Sequence, residues 1–234
     1  MTGYNYETFS SDEVDFHARG GPEIGAKAPD ARVFDTTGEP CQLLDFEGDF
    51  LVLEIGSITC PLFQSRRKSM GGLRDVASVV LYVREAHPGA DIAAHRTLDH
   101  KIASARCLVY EDGETRRVLV DDLDGTAHRA YGGLPNSVFI INRNGCVVFK
   151  SDWNDPTATA KALQALRGSR PIRAKSFFRP ARPSVAIHTL GRAGKGSVRD
   201  FLRSFPNLVW KNLIKRNLRV LLGRPLDVAG DIIC

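Results

Sequence analysis

Three apolar runs organise the first two thirds of the chain: 50–55, 79–83 and 137–142. Each is too short for a helix and lacks the alternation of a half-exposed strand, so each reads as a strand covered on both faces. Shorter strands fit 31–34 and 42–44, on either side of the turn at Thr37-Gly38, and 117–120. Asn144-Gly145 is a strong hairpin signal, so 146–151 should pair antiparallel with 137–142. Helical spacing fills the gaps at 61–74 (weakened by Gly71-Gly72), 97–109, 125–131 and 155–166, the last opening on Asp155 with Pro156 in its first turn. Strands joined by helices and closed by a hairpin and a helix predict an α/β domain, a central mixed sheet with helices on both faces. The chain then changes character. Ser197 and Asp200 have capping-box spacing, and Pro206 interrupts or restarts the helix they begin. At 100° per residue, Val209, Trp210, Leu213, Ile214, Leu218, Val220 and Leu221 share one arc, opposite Lys211, Lys215, Arg216 and Arg219.

Charge sharpens that division. Residues 1–169 carry 18 Lys/Arg and 24 Asp/Glu, whereas 170–234 carry 14 Lys/Arg and only Asp200, Asp227 and Asp231. The expected organisation is a flexible N-terminal segment (1–24), an α/β domain (25–168), a Pro/Arg-rich linker (169–196) and a basic, largely helical extension (197–234). A basic amphipathic helix with tryptophan fits an anionic membrane surface through 197–222, or packs on the domain or on a second copy of the chain. No recognised nucleic-acid motif accompanies the charge, so nucleic acid is an unlikely partner. Five scattered cysteines, Cys41, Cys60, Cys107, Cys146 and Cys234, argue against a disulfide framework and a zinc site, and no metal is expected. Cys41 and Cys146 read as core and Cys234 as a terminal thiol. With no apolar signal core near the N-terminus and no run of membrane-spanning length, a cytoplasmic setting is expected, peripheral to a membrane if the tail docks there.

The chemistry concentrates in Gly56-Ser57-Ile58-Thr59-Cys60-Pro61-Leu62-Phe63. A strand ends, a short turn follows, and Cys60 precedes a proline suited to the first helical position. Free backbone N–H groups and the helix dipole favour a thiolate there, so a depressed Cys60 pKa is expected.

These residues resemble a known family. The lead-in Gly25-Ala26-Lys27-Ala28-Pro29-Asp30, the strand–Cys–helix arrangement and Leu134-Pro135 before a strand resemble the redoxin branch of the thioredoxin-like fold. The Cys60 loop is similar to the Gly-Ser-x-Thr-selenocysteine-Pro-Pro-Phe of the iodothyronine deiodinases, and Tyr82-Val83-Arg84-Glu85-Ala86-His87-Pro88 to their Tyr-x-x-Glu-Ala-His-Pro. The resemblance implies Cys60 as the reactive chalcogen position with Thr59 beside it, although a threonine there equally suits helix capping. It implies Glu85 and His87 as proton-handling groups or contacts to a substrate phenol; an ordinary histidine titrates near neutrality. Pro135 would lie cis beside the sulfur, and with Ser57, three residues before Cys60 as in peroxiredoxins, it forms the expected substrate-binding pair.

The departures point towards thiol chemistry. Cysteine replaces selenocysteine, Leu62 replaces the second proline, and Phe63 excludes Cys-x-x-Cys exchange. Arg116, Arg117 and Arg129 are candidates to polarise a peroxide, and Cys107 is the first candidate for a resolving thiol, although it reads more readily as a packed helix residue. The resulting expectation is a thiol-dependent oxidoreductase acting through a sulfenyl intermediate on a small-molecule or thiol substrate. It needs no cofactor beyond an external cellular thiol reductant. Reductive dehalogenation of a halogenated aromatic and a non-catalytic module docking through its tail are the alternatives.

Overall fold

The computed structural model describes residues 3–11, 20–223 and 227–234. Its centre is strand β3 (Phe50–Gly56), whose seven residues include six that are buried, as its unbroken apolar run requires. β3 pairs in parallel with β4 (Ala77–Tyr82), which pairs in parallel with β5 (Arg117–Val120). On its other side β3 runs antiparallel to β6 (Val138–Asn142), and β6 to β7 (Val147–Ser151) across the Asn144-Gly145 turn. β1 (Arg32–Phe34) and β2 (Pro40–Gln42) complete a sheet of order β2-β1-β5-β4-β3-β6-β7. β2 lies two residues earlier than the 42–44 expected, because pairing Arg32 with Gln42 and Phe34 with Pro40 sets its register.

Helices α1 (Pro61–Gly71), α2 (Leu98–Tyr110), α3 (Thr126–Ala130) and α4 (Pro156–Arg167) connect and cover the strands. Their starts are chemically marked. Thr97 Oγ1 accepts from His100 N at 3.2 Å, and Asp155 Oδ1 accepts from Thr157 N and Ala158 N at 3.1 and 3.0 Å. One apolar cluster spans the sheet from Val33 to Val147, a second packs α4 on β6 and β7, and a third joins Cys60 and Phe63 to α2. The arrangement is the expected thioredoxin-like fold, a mixed sheet with helices on both faces, followed by a helical C-terminal extension.

Within 169–196 the chain forms α5 (Pro183–Ala193), which packs against α1. The extension continues as α6 (Ser197–Leu208), a π-helical stretch (Val209–Arg216) and α7 (Asn217–Leu222) without a break at Pro206. Of the N-terminal segment, residues 12–19 lie outside the described residues. Tyr4 and Phe9 are buried against the domain.

Two expectations fail here. Cys146 and Cys234 form a disulfide, with Cα atoms 5.8 Å apart and a sequence separation of 88. The C-terminal segment returns to the β6–β7 turn, where Asn142 Nδ2 donates to Gly230 O and Ile232 O at 3.0 and 2.8 Å. The pairing removes the case that cysteine usage made for a reducing compartment. Among the described residues every peptide bond is trans, Leu134–Pro135 included, so the expected cis proline is absent.

Candidate active site

Gly56 ends β3 under the ring of Phe63; a Cβ there would run into Phe63 Cδ2. That close approach brings the turn back over the strand and leaves Cys60 as the N-cap of α1, with Pro61 in the first turn. Placement at the helix N-terminus is therefore as expected, but the ionisation is not. Cys60 is 2 % exposed. Burial pushes its thiol up to about 11, against the opposing pull of the Leu62 and Phe63 backbone N–H groups and the Arg66 charge. Desolvation of a thiolate outweighs the helix terminus here.

Behind Cys60 the next residue organises the site. Thr59 does not cap α1; its Oγ1 donates to Glu85 Oε2 at 2.6 Å and accepts from His87 N at 3.1 Å, and Thr59 N also donates to Glu85 at 3.2 Å. Ser57 Oγ accepts from Ala86 N at 3.1 Å. Four hydrogen bonds thus stitch the Cys60 turn to the loop after β4. Tyr82 OH donates to Glu85 Oε1, and His95 Nε2 lies 3.1 Å from the same oxygen. Burial would raise the Glu85 pKa, but His95, Thr59 and Tyr82 outweigh it and hold the carboxyl below its ordinary range. The site therefore holds a buried carboxylate, fully contacted, one residue from the sulfur.

His87 differs from expectation as well. Its ring lies between Phe9, at 4.2 Å between centroids, and Phe201 of α6, at 5.6 Å. Burial lowers its pKa to about 3, so at neutral pH it is an uncharged imidazole rather than a titrating acid. Its Nδ1 is buried without a hydrogen-bond partner among the described residues. The extension holds this loop directly: Ser197 Oγ donates to His87 O at 3.2 Å, Ala90 N to Lys195 O at 3.1 Å and Asp91 N to Ala193 O at 3.0 Å. Leu62 packs both on the Cys60 cluster and, with Leu208, on a further cluster of Phe9, Leu134 and Trp153.

The remaining candidates separate. Pro135 follows Leu134 of that cluster in a trans peptide. Cys107 is half-buried at the edge of the Cys60 cluster, and burial and Glu111 both raise its pKa. Each of the three candidate arginines has a partner elsewhere. Arg116 is held by Glu54 and Glu114, Arg117 donates to Asp45 O at 2.9 Å, and Arg129 lies over the Tyr4 ring. Sequence reasoning missed Glu54 and His95. Glu54 had a signal, a carboxylate inside an apolar strand that must find partners; it finds Arg116 and Asn154 Nδ2, the latter at 2.7 Å. His95 had none, standing ten residues past Glu85 in a loop.

Fold and site together define a thioredoxin-like protein built round a single helix-terminal cysteine. A family model described as iodothyronine deiodinase matches residues 8–158, and the chain belongs to that family. Thyroxine 5-deiodinase of Ovis aries is 31 % identical over 143 residues, 54 % of this chain and 48 % of that protein. The enzyme of the same name from Homo sapiens is 30 % identical over 175 residues, covering 64 % and 57 %. The chain thus spans about half the length of these relatives. Among solved structures, an uncharacterized conserved protein from Geobacillus kaustophilus superposes with a TM-score of 0.54 at 17 % identity, over 66 % of this chain and 87 % of that one. A hypothetical protein from Sinorhizobium meliloti gives 0.53 at 16 %, over 65 % and 88 %. Both share the fold.

Proposed function

We propose that this protein is a thiol-dependent oxidoreductase in which Cys60 is the nucleophile. The reading rests on one observation: Cys60 caps α1 while Thr59, beside it, is hydrogen-bonded to a buried and ionised Glu85. Opening the cover removes the desolvation that holds the thiol protonated, and leaves the Leu62 and Phe63 N–H groups and Arg66 to favour the thiolate. The sulfur then attacks a soft electrophile and takes the transferred atom as a sulfenyl species. Two external thiols reduce that species to Cys60–SH and leave as a disulfide. Cys107, engaged with Glu111 and Arg192, is a weaker resolver than an external thiol.

A second reading is favoured by His87. Its unpartnered Nδ1 between two phenylalanine rings suits a phenolic ring, which fits reductive removal of halogen from a halogenated aromatic. In that step the thiolate takes the halogen as Cys60–S–halide and the ring carbon takes a proton. Two thiols then return Cys60–SH, a disulfide and the hydrogen halide. The relatives' name, thyroxine 5-deiodinase, agrees with this class. Peroxide consumption, disulfide exchange and iodide release, each followed with dithiothreitol in wild type and Cys60→Ser, separate the reactions. Whichever activity Cys60→Ser abolishes names the chemistry; a wild type inert in all three sinks the proposal.

A further inference from the structure

The extension leaves much of the apolar surface of its amphipathic helix in water. Several of its polar residues meet the rest of the chain. Ser204 Oγ accepts from Ser11 N at 3.3 Å, and Lys211 Nζ donates to Ser11 O at 3.1 Å. Asn217 exchanges hydrogen bonds with the Phe178 backbone at 2.7 and 3.0 Å, and Arg216 pairs with Asp152. The apolar residues point away: Leu202, Trp210, Leu218 and Leu221 are 62, 52, 53 and 61 % exposed, with Phe205 and Leu213 between them. A continuous apolar strip of this length on a water-facing surface marks a contact site.

We propose that this strip docks the protein on an anionic lipid bilayer. Charge selects the occupant. Lys195, Arg199, Arg203, Lys215 and Arg219 are exposed along the helix, against a single acid, Asp200. Near its C-terminal end Lys175 Nζ donates to Leu221 O at 2.8 Å, from the rim of a cleft of about 830 Å³ that is also lined by Lys161, Arg170, Arg173 and Arg179. A second copy would bring the same cations face to face, whereas anionic headgroups neutralise them while acyl chains cover the leucines. Among the described residues no helix is long and apolar enough to cross a membrane, so the contact lies in the interfacial plane.

The test uses full-length protein with vesicles of phosphatidylcholine alone or mixed with phosphatidylserine. Binding should require phosphatidylserine, weaken with salt, and blue-shift tryptophan emission in wild type but not in Trp210→Phe. Leu213→Ser/Leu218→Ser should abolish pelleting without changing the thermal midpoint, since both positions are exposed. Arg199→Gln/Arg203→Gln should weaken binding by roughly 30-fold, about fivefold for each basic residue. Equal or absent binding to both vesicles overturns the proposal. So does a dimer in light scattering that the leucine variant dissolves, because the strip would then join two copies. Catalytic assays do not enter, so failure here leaves the Cys60 reading intact.

Discussion

Removing the roof over Cys60 should change the chemistry of its sulfur, and the size of the change follows from the site. Burial holds the thiol at about 11 against an ordinary value of 9.0. Two units correspond to ~2.7 kcal/mol against the thiolate, so at pH 8 about 0.1 % of the sulfur is ionised instead of about 10 %. Leu62 of α1 and Ile102 of α2, in the apolar cluster that holds Cys60, supply part of that roof. In a Cys41→Ser/Cys107→Ser background, the alkylation rate with iodoacetamide across pH reports Cys60 alone, because Cys146 and Cys234 are bonded. The background protein should titrate near 11. Adding Leu62→Ala/Ile102→Ala should lower the midpoint towards 9 or below and raise the rate at pH 8 by ~10- to 100-fold, while the far-ultraviolet spectrum stays unchanged. A background midpoint at or below 9 refutes the reasoning, since the helix terminus would then dominate burial. A roofless variant that still titrates at 11 assigns the burial to other residues.

Glu85→Gln leaves Thr59, Tyr82 and His95 facing an uncharged amide, and should destabilise the protein by about 2–4 kcal/mol in urea denaturation and depress Cys60-dependent turnover. His87 and His128 both have folded pKa values lowered to about 3 by burial, so the unfolded chain binds protons first as pH falls. Stability is fully present above about 6.5 and is lost towards 3, by ~2 kcal/mol per histidine at pH 5. His87→Asn should remove about half of that loss when urea midpoints at pH 5 and 7.5 are compared. The Cys146–Cys234 disulfide closes a separation of 88 residues, and Cys146→Ala/Cys234→Ala should lower stability by about 2–4 kcal/mol. The variant's thermal midpoint should no longer respond to dithiothreitol; an unchanged response would place the reducible bond elsewhere.

Local pattern made most of the sheet legible. β3, β5 and β6 and the hairpin after β6 follow from apolar runs and from Asn144-Gly145, because a buried strand and a two-residue turn each constrain neighbouring residues. What escaped depends on distant chain. The position of β2 is set by its partner strand, and the Cys146–Cys234 bond by a C-terminal segment that Asn142 and Asn144 receive. The amphipathic arc of 209–221 was readable, but its orientation was not. A moment distinguishes two faces, and contacts with Ser11, Asp152 and Phe178 decide which polar residues turn inward.

The site divides in the same way, and Cys60 shows why. Cys-Pro after a strand reports the local force on the sulfur, the helix terminus, whose sign is readable from two adjacent residues. The opposing force, desolvation, comes with burial in a cluster that reaches Tyr82, Ala86 and Ile102, up to 42 positions away in sequence, and it is the larger. His87 inverts for the same reason: the motif places the imidazole, while Phe9 and Phe201 make it neutral. Motifs therefore identify which groups meet at this site, and the non-local cover decides their protonation.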